Sequence, residues 1–350
     1  CLLKKRQKHL SPLLCFLTKI TYLFKLKKSL IKILKIGVPI AFGAFLIWYI
    51  YNKFTPLQLQ ELSGYVKNAN YWIVGLSVGL NLLSHLARAH RWSFMLEPLG
   101  YKPKLANNFM AVSVAYLMNI FIPKSGEVSR GIVLDKYEKI PFSAGFGTII
   151  SERIIDLFFL IGFILAALVL KFDILYGYII ETIPASIVNT LLIGKIALSV
   201  FVVVILAYLI FIDLFRQTYS KVKTFLLGLK QGVLSIVTMK KKKLFIGYSF
   251  FIWGLYLLSF YVATQALAET SDIGFSTIII AFVVGSFTFA FTNSGFGTYP
   301  AAIAGVLALF NVPFTVGTAF GWIIWTSGIA SIIVIGVGSM LFLPVYNKNK

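Results

Sequence analysis

Seven ionisable side chains fall inside or beside long apolar runs: Arg88 and Arg91, Glu127 and Arg130, and Glu152, Arg153 and Asp156. A charge at the centre of a lipid-embedded helix costs about 2.5–3.5 kcal/mol on insertion scales, so such groups usually face a cavity and pair with one another. The case is strongest for "SERIIDL", which sits in the middle of the apolar stretch Phe142–Leu170. There Glu152 and Asp156 are four apart and share a helix face, leaving Arg153 to answer Glu127 or a bound phosphate. Arg88 and Arg91, in "SHLARAHRW" with His85 and His90, also share a face. Two readings stand for them: span-end arginines snorkelling to headgroups, or a cationic mouth that captures a lipid phosphate. Glu127 and Arg130, three apart in "PKSGEVSR", are either a turn-and-cap pair on a loop or part of the same polar site. The stretch "TNSGFGTYP" carries no charge but offers Asn293 and Thr298 to a headgroup; the alternative is helix packing by small residues. Pro123, Gly126, Gly295 and Gly297 are candidate hinge or turn positions, since glycine permits tight backbone turns.

The elements that must position these residues follow from composition. The 350 residues are 58% hydrophobic and 13% charged, with a mean hydropathy of +0.85, against about 25% charged in a globular domain. That leaves too little polar surface to cover a soluble body. Apolar runs recur at Ile36–Tyr51, Tyr71–Leu86, Ile154–Leu170, Leu192–Ile212, Leu244–Leu267 and Val316–Leu343. With its flanks, each is long enough to cross about 30 Å of hydrocarbon. The ~10-residue alternation of barrel strands is absent. The expectation is an all-α, polytopic transmembrane bundle. Trp48, Tyr49, Tyr71, Trp72 and Trp92 read as interfacial belt residues. Trp253, Trp322 and Trp325 lie deeper, as packing residues or as the lining of a lipid path.

A net charge of +21 raises nucleic acid as a partner, but the basic residues gather in loops and not on a face interleaved with stacking aromatics. Ten precede the first span and eight lie between Arg216 and Lys243, whereas Asn52–Asn70 holds only Lys53 and Lys67. The positive-inside rule then places the N-terminus, the basic loop 214–243 and the tail 344–350 in the cytoplasm. In the leader, residues 1–35, Lys25, Lys28, Lys32 and Lys35 form one helical stripe. It either lies on anionic lipids or serves only to keep the terminus inside. Cys1 and Cys15 support neither a disulfide framework nor a metal site, and no cofactor is expected.

The single transmembrane domain, residues 36–343, reads as a duplication. "LNLLS" at Leu80–Ser84 recurs as "LYLLS" at Leu255–Ser259, "SG" at Ser125 recurs at Ser294, and "GT" at Gly147 recurs at Gly317. The offsets are 175, 169 and 170 residues. Loop charges give the two units, about 36–171 and 192–343, opposite orientations. Inverted repeats commonly build a mid-membrane site from interrupted helices, so each unit is expected to hold a re-entrant or interrupted helical hairpin around "PKSGEVSR" or "TNSGFGTYP".

Taken in order, "RAHRW", "NIFIPKSGEVSR", "SERIIDL" and "GFGTYPAA" resemble the lysylphosphatidylglycerol synthase/flippase transmembrane family, from about Lys35 to Leu343. The resemblance implies a helical bundle of the plasma membrane whose best-understood members move aminoacylated phospholipid between leaflets. Its signatures fall on Pro123, Gly126, Glu127 and Arg130, on Glu152, Arg153 and Asp156, and on Gly295 and Gly297. The sequence ends in "PVYNKNK" without the soluble aminoacyl-transferase domain of the bifunctional members, so synthesis of a lysyl-lipid is not expected. The second glycine motif also lacks an acidic residue.

The leading expectation is a flippase-like transporter of a phospholipid or lipid-linked headgroup. Arg88, Arg91, Arg130 and Arg153 would bind phosphate, and Glu127, Glu152 and Asp156 would balance them or bind a cationic headgroup. A second reading is a membrane-embedded transferase on polyprenyl- or phospholipid-linked substrates, with Glu127, Glu152 or Asp156 as general base. The sequence offers that reading no D-x-D pair, no His–Glu metal spacing and no nucleophile elbow. A third is a non-catalytic scaffold.

Overall fold

The computed structural model describes residues 37, 41–170, 219–292 and 294–348. The lysine leader, the Leu192–Ile212 run, Asn293 and Lys350 lie outside the described residues. Every regular element described is helical: α1 (residues 41–53), α2 (Pro56–Asn68), α3 (Tyr71–Leu96), α4 (Leu105–Phe121), α5 (Ser125–Glu138), α6 (Phe142–Leu170), α7 (Tyr219–Thr238), α8 (Lys242–Thr264), α9 (Ala268–Ser271), α10 (Phe275–Phe291), α11 (Thr298–Leu309) and α12 (Phe314–Tyr346). The all-α bundle expected from composition is what the chain forms.

Helices α6, α8 and α12 are long and apolar enough to cross a membrane. They contain the expected runs Ile154–Leu170, Leu244–Leu267 (up to Thr264) and Val316–Leu343. The Tyr71–Leu86 run continues into α3, a 26-residue helix whose later turns carry His85, Arg88 and Arg91. Helices α4 and α10 have 17 residues each, α5 has 14 and α11 has 12. All four are shorter than the roughly 20 residues that a perpendicular crossing requires.

Local signals set the boundaries. Thr55 and Gln58 close a capping box on α2, with Gln58 Oε1 accepting from Thr55 N at 2.9 Å and Thr55 Oγ1 from Gln58 N at 3.3 Å. Asn70 caps α3 by accepting from Trp72 N and Ile73 N. Its own N–H donates to Ala266 O at 2.9 Å, tying the start of α3 to the end of α8.

The order helix, hairpin, helix occurs twice, as α3, α4–α5, α6 and as α8, α10–α11, α12. Helices α3 and α8 pack along each other, and Ser77 and Ser259 each donate to the other's carbonyl at 2.8 Å. The first helix of each hairpin packs on the last helix of the other unit, α4 on α12 and α10 on α6. One apolar core gathers α8, α10, α11 and α12, and a second gathers the end of α3 and the first half of α4 with α5 and the start of α6. The outer surfaces of α6 and α12 leave Phe158, Val169, Val334 and Leu341 exposed, a surface that only lipid or another apolar body covers without cost.

The two hairpin tips touch each other. Lys124 Nζ of the first donates to Ala290 O of the second at 2.8 Å, and Ser294 Oγ donates to Asn119 O at 3.3 Å. At the second tip Ser294, Gly295 and Gly297 have φ of 52°, 72° and 66°, so both glycines stand where a left-handed turn requires them. At the first tip the left-handed residue is Lys124, φ 62°. Gly126 lies within α5 and is needed for a different reason: a Cβ there would strike Ala115 O and the Asn119 side chain.

Close helix approach yields a paired test. A Cβ at Gly321 would lie 2.7 Å from Pro300 Cα, backbone that cannot swing aside, whereas nothing lies within 4 Å at Gly338 on the same helix. Gly321→Ala is expected to destabilise by about 1–3 kcal/mol through overpacking, and Gly338→Ala to be neutral or slightly stabilising. Thermal unfolding of both in detergent checks the difference.

Candidate functional site

Four helices bring the charged residues together. Helix α3 supplies Arg88 and Arg91, one turn apart; α6 supplies Glu152, Arg153 and Asp156; α5 supplies Glu127 and Arg130; and α8 adds Ser249 and Tyr256. The α3 arginines do not snorkel: Arg88 is 3% exposed and Arg91 wholly buried. The snorkelling reading is thereby corrected, because both reach carboxylates within the fold. Arg88 Nη1 binds Glu152 Oε1 at 2.6 Å and Asp156 Oδ2 at 2.8 Å. Arg91 Nη2 binds the same two residues at 3.1 and 2.9 Å, and its Nη1 donates to Ser249 Oγ at 2.8 Å. Spacing of four on α6 and three on α3 makes this lattice of two arginines and two carboxylates possible.

Glu127 and Arg130, which the sequence offered as a pair, find separate partners. Arg130 turns inward, with Nη1 2.8 Å from Glu152 Oε2, close enough for an ion pair but misaligned for a hydrogen bond. Its guanidinium lies over the Trp92 ring at 3.6 Å, a cation–π contact that strengthens when desolvated. Trp92, read as a belt residue, is fully buried and donates Nε1 to Thr148 Oγ1 at 2.8 Å. Trp48, Tyr49, Tyr71 and Trp72 are exposed. Glu127 reaches Arg153 Nε at 3.3 Å, the partner suggested for it.

Beside this lattice lies a cavity of about 490 Å³. One wall is charged and polar: Arg88, Lys124, Glu127, Arg153 and Asp156, with Tyr116 and Tyr256. The rest of the lining is largely aromatic and apolar, with Trp253, Phe260, Phe282, Phe289 and Trp325. Both hairpin tips contribute, through Pro123 and Lys124 and through Thr292 and Ser294. Arg88 Nη2 donates to Tyr256 OH at 3.3 Å, the two tyrosine hydroxyls are 3.4 Å apart, and the His85 ring stacks on Tyr116 at 4.3 Å.

Of the sequence candidates, Arg88, Glu127, Arg153 and Asp156 line the cavity, together with Pro123. Arg91, Arg130 and Glu152 stand behind its wall and hold it. Thr298 is one step removed, its Oγ1 2.9 Å from the Oγ1 of the lining residue Thr292. Gly295 shapes the tip, and Gly297 meets Gly43 of α1 backbone to backbone. Lys124, Tyr116 and Tyr256 were missed. A tyrosine in an apolar helix looks like a belt residue, and only the pairing of α4 with α8 across the cavity reveals these two.

The arrangement favours an anion. Four arginines face three carboxylates in the cluster, and Lys124 forms no ion pair among the described residues. The Trp253 indole N–H and the Arg88 Nε–H are buried at lining residues without a hydrogen-bond partner among the described residues. Among those residues no group of three His, Cys, Asp or Glu is arranged to hold a metal.

Comparison with known proteins agrees with the motifs. The model of the lysylphosphatidylglycerol synthase TM region matches residues 33–338. A UPF0104 membrane protein of Methanocaldococcus jannaschii, MJ1078, is 26% identical over 231 residues, 65% of this chain and 94% of the relative. A second from the same organism, MJ1595, is 30% identical over 103 residues, 29% of this chain and 31% of the relative. The match thus spans about a third of the length of MJ1595. No solved structure matches.

The lattice separates clamped from cavity-facing charge. Glu152→Gln strips three buried guanidiniums of a shared counter-charge and is expected to cost about 3–5 kcal/mol. Glu127→Gln, in a pair whose side chains are 22% and 43% exposed, is expected to cost less than about 1 kcal/mol. Thermal unfolding of the two variants gives the comparison.

Proposed function

We propose that this chain, which belongs to the lysylphosphatidylglycerol synthase TM region family, is a flippase-like transporter that moves a phospholipid or lipid-linked molecule between the leaflets of the plasma membrane. The observation that carries the reading is the cavity at the meeting of the two hairpin tips, whose lining joins charged side chains to aromatic ones. A headgroup gains ion pairs and hydrogen bonds from the charged side chains, which offset the cost of taking it out of water. Acyl chains need no such compensation and stay in the bilayer.

The recurrence of the order helix, hairpin, helix supports the movement if the two units are oppositely oriented. If α4–α5 and α10–α11 are re-entrant hairpins entering from opposite faces, their touching tips separate the two aqueous sides at mid-membrane. Their short helices and their contacts at Lys124 and Ser294 favour this. Irregular backbone at that depth is tolerated where it is buried in protein or lines a cavity. Rocking one unit against the other would then open the cavity to each leaflet in turn. The basic segment 214–243, which the structure folds over Tyr219–Thr238 as α7, and the N- and C-termini would lie in the cytoplasm beside anionic lipids.

Purified protein in liposomes containing fluorescent phospholipids is expected to exchange them between leaflets without changing their mass. Arg153→Gln, at a half-exposed cavity residue, should slow exchange about tenfold, the equivalent of one lost charge-assisted hydrogen bond, while unfolding at the wild-type temperature. A covalently altered lipid in the mass spectrum would replace this reading with the transferase, and absence of exchange for anionic, zwitterionic and cationic headgroups alike would sink it.

A further inference from the structure

On the far side of the Glu127–Arg153 pair lies a second, smaller space of about 240 Å³. Apart from those two residues its lining is entirely apolar: Phe146, Ile149, Ile150, Ile154 and Leu157. Glu127, Arg153 and Leu157 border both spaces, so one ion pair between α5 and α6 stands between a polar chamber and a greasy groove. Ile154 and Leu157 are about half exposed and continue into the exposed Phe158 and Ile161, the outer face of a helix apolar enough to cross the membrane.

We propose that the two spaces form one bipartite site for an amphiphile with a phosphate head, its head held in the cavity by Arg153 and Lys124 and its acyl chain lying in the apolar groove along α6 that Glu127 of α5 borders. The proposal rests on the transporter reading for its biological sense and adds where the lipid enters and what it must carry. Charge and geometry choose the occupant. Arg153 is the least buried arginine of the cluster, paired at 3.3 Å with Glu127 and at 3.8 Å with Asp156, distances that leave it free to turn to a stronger anion. Lys124 stands at the cavity bonded to the Ala290 carbonyl and without an ion pair among the described residues, so the anion meets a second cation without displacing a carboxylate. A fully water-soluble anion has no use for the apolar groove, and a neutral lipid leaves Lys124 without a counter-charge. When phosphate takes Arg153, the Glu127–Arg153 link between α5 and α6 loosens, and chamber and groove become continuous. The pair is thus the threshold over which a head passes while its chain remains in hydrocarbon.

The test is binding, not transport. Purified protein in detergent is titrated calorimetrically with dihexanoylphosphatidic acid and with glycerol 3-phosphate, the same head without chains. The wild type is expected to bind the lipid more tightly. Ile154→Trp, which fills the groove at a lipid-exposed position, should weaken lipid binding about tenfold, as for the loss of one or two buried methylenes, and leave glycerol 3-phosphate within about twofold. Arg153→Gln should weaken both. Phe146→Ala removes the groove wall by truncation and should repeat the Ile154→Trp pattern, so a folding defect in one variant does not decide the matter. Equal affinity of the wild type for both ligands, lipid affinity unmoved by either groove variant, or glycerol 3-phosphate binding indifferent to Arg153→Gln would each overturn the site. Binding of the expected pattern in a protein that exchanges no lipid in liposomes would leave this site standing and remove the transport reading.

Discussion

The Glu152 carboxylate holds the structure together at the place where it is most expensive to do so. Its two oxygens are shared among Arg88, Arg91 and Arg130, all but inaccessible, and the three arginines come from α3 and α5 while the carboxylate comes from α6. Burying four such charges separately would cost many kcal/mol. Brought together they stabilise one another, but only if all three helices keep their axial positions. A shift of one turn on any helix would leave a buried charge without its partner, so the cluster fixes register much as a polar residue fixes register in a coiled coil.

That fixed frame has a soft edge. Arg153 and Glu127 belong to the same two helices, α6 and α5, yet their pair is longer and more exposed than the pairs around Glu152. Adjacent residues on one helix, Glu152 and Arg153, therefore serve opposite ends: one clamps the bundle and the other faces an open space. The hierarchy follows from helical geometry, since neighbours in sequence point about 100° apart on a helix and cannot share an environment. A rigid clamp beside a loose pair is what a site needs if it is to keep its shape while exchanging its occupant.

Much of this was legible in the sequence, and the illegible parts have physical causes. The membrane-spanning class followed from composition, and the shared face of Glu152 and Asp156 from a spacing of four. Burial of Arg88 and Arg91 was not decidable, because the helix end that lets an arginine snorkel looks the same as one packed on a partner helix until α6 is placed beside it. Trp92 was misread for the same reason: its ring is buried beneath Arg130, a residue 38 positions away in sequence. At the first hairpin turn the left-handed residue is Lys124 and not a glycine. The sequence held Pro123 and Gly126 as the obvious signals, and Gly126 answers to crowding by Ala115 and Asn119.

The two halves of the fold are alike in element order but not in chemistry, and the difference has a consequence for the cavity. The first hairpin brings Lys124, Glu127 and Arg130; the second brings Thr292, Ser294 and two glycines with φ above 60°. Only one side of the meeting point is therefore ionic, and the facing side offers hydroxyls, backbone carbonyls and the Trp325 indole, which is already bonded to Ser294 O at 2.8 Å. A symmetric pair of charged hairpins would oppose like groups across a low-dielectric gap, where repulsion is strong. An ionic tip against a neutral, close-turning one avoids that repulsion and lets the tips touch. It also gives the cavity a direction, so that a polar head lying between the tips has one orientation of lowest energy.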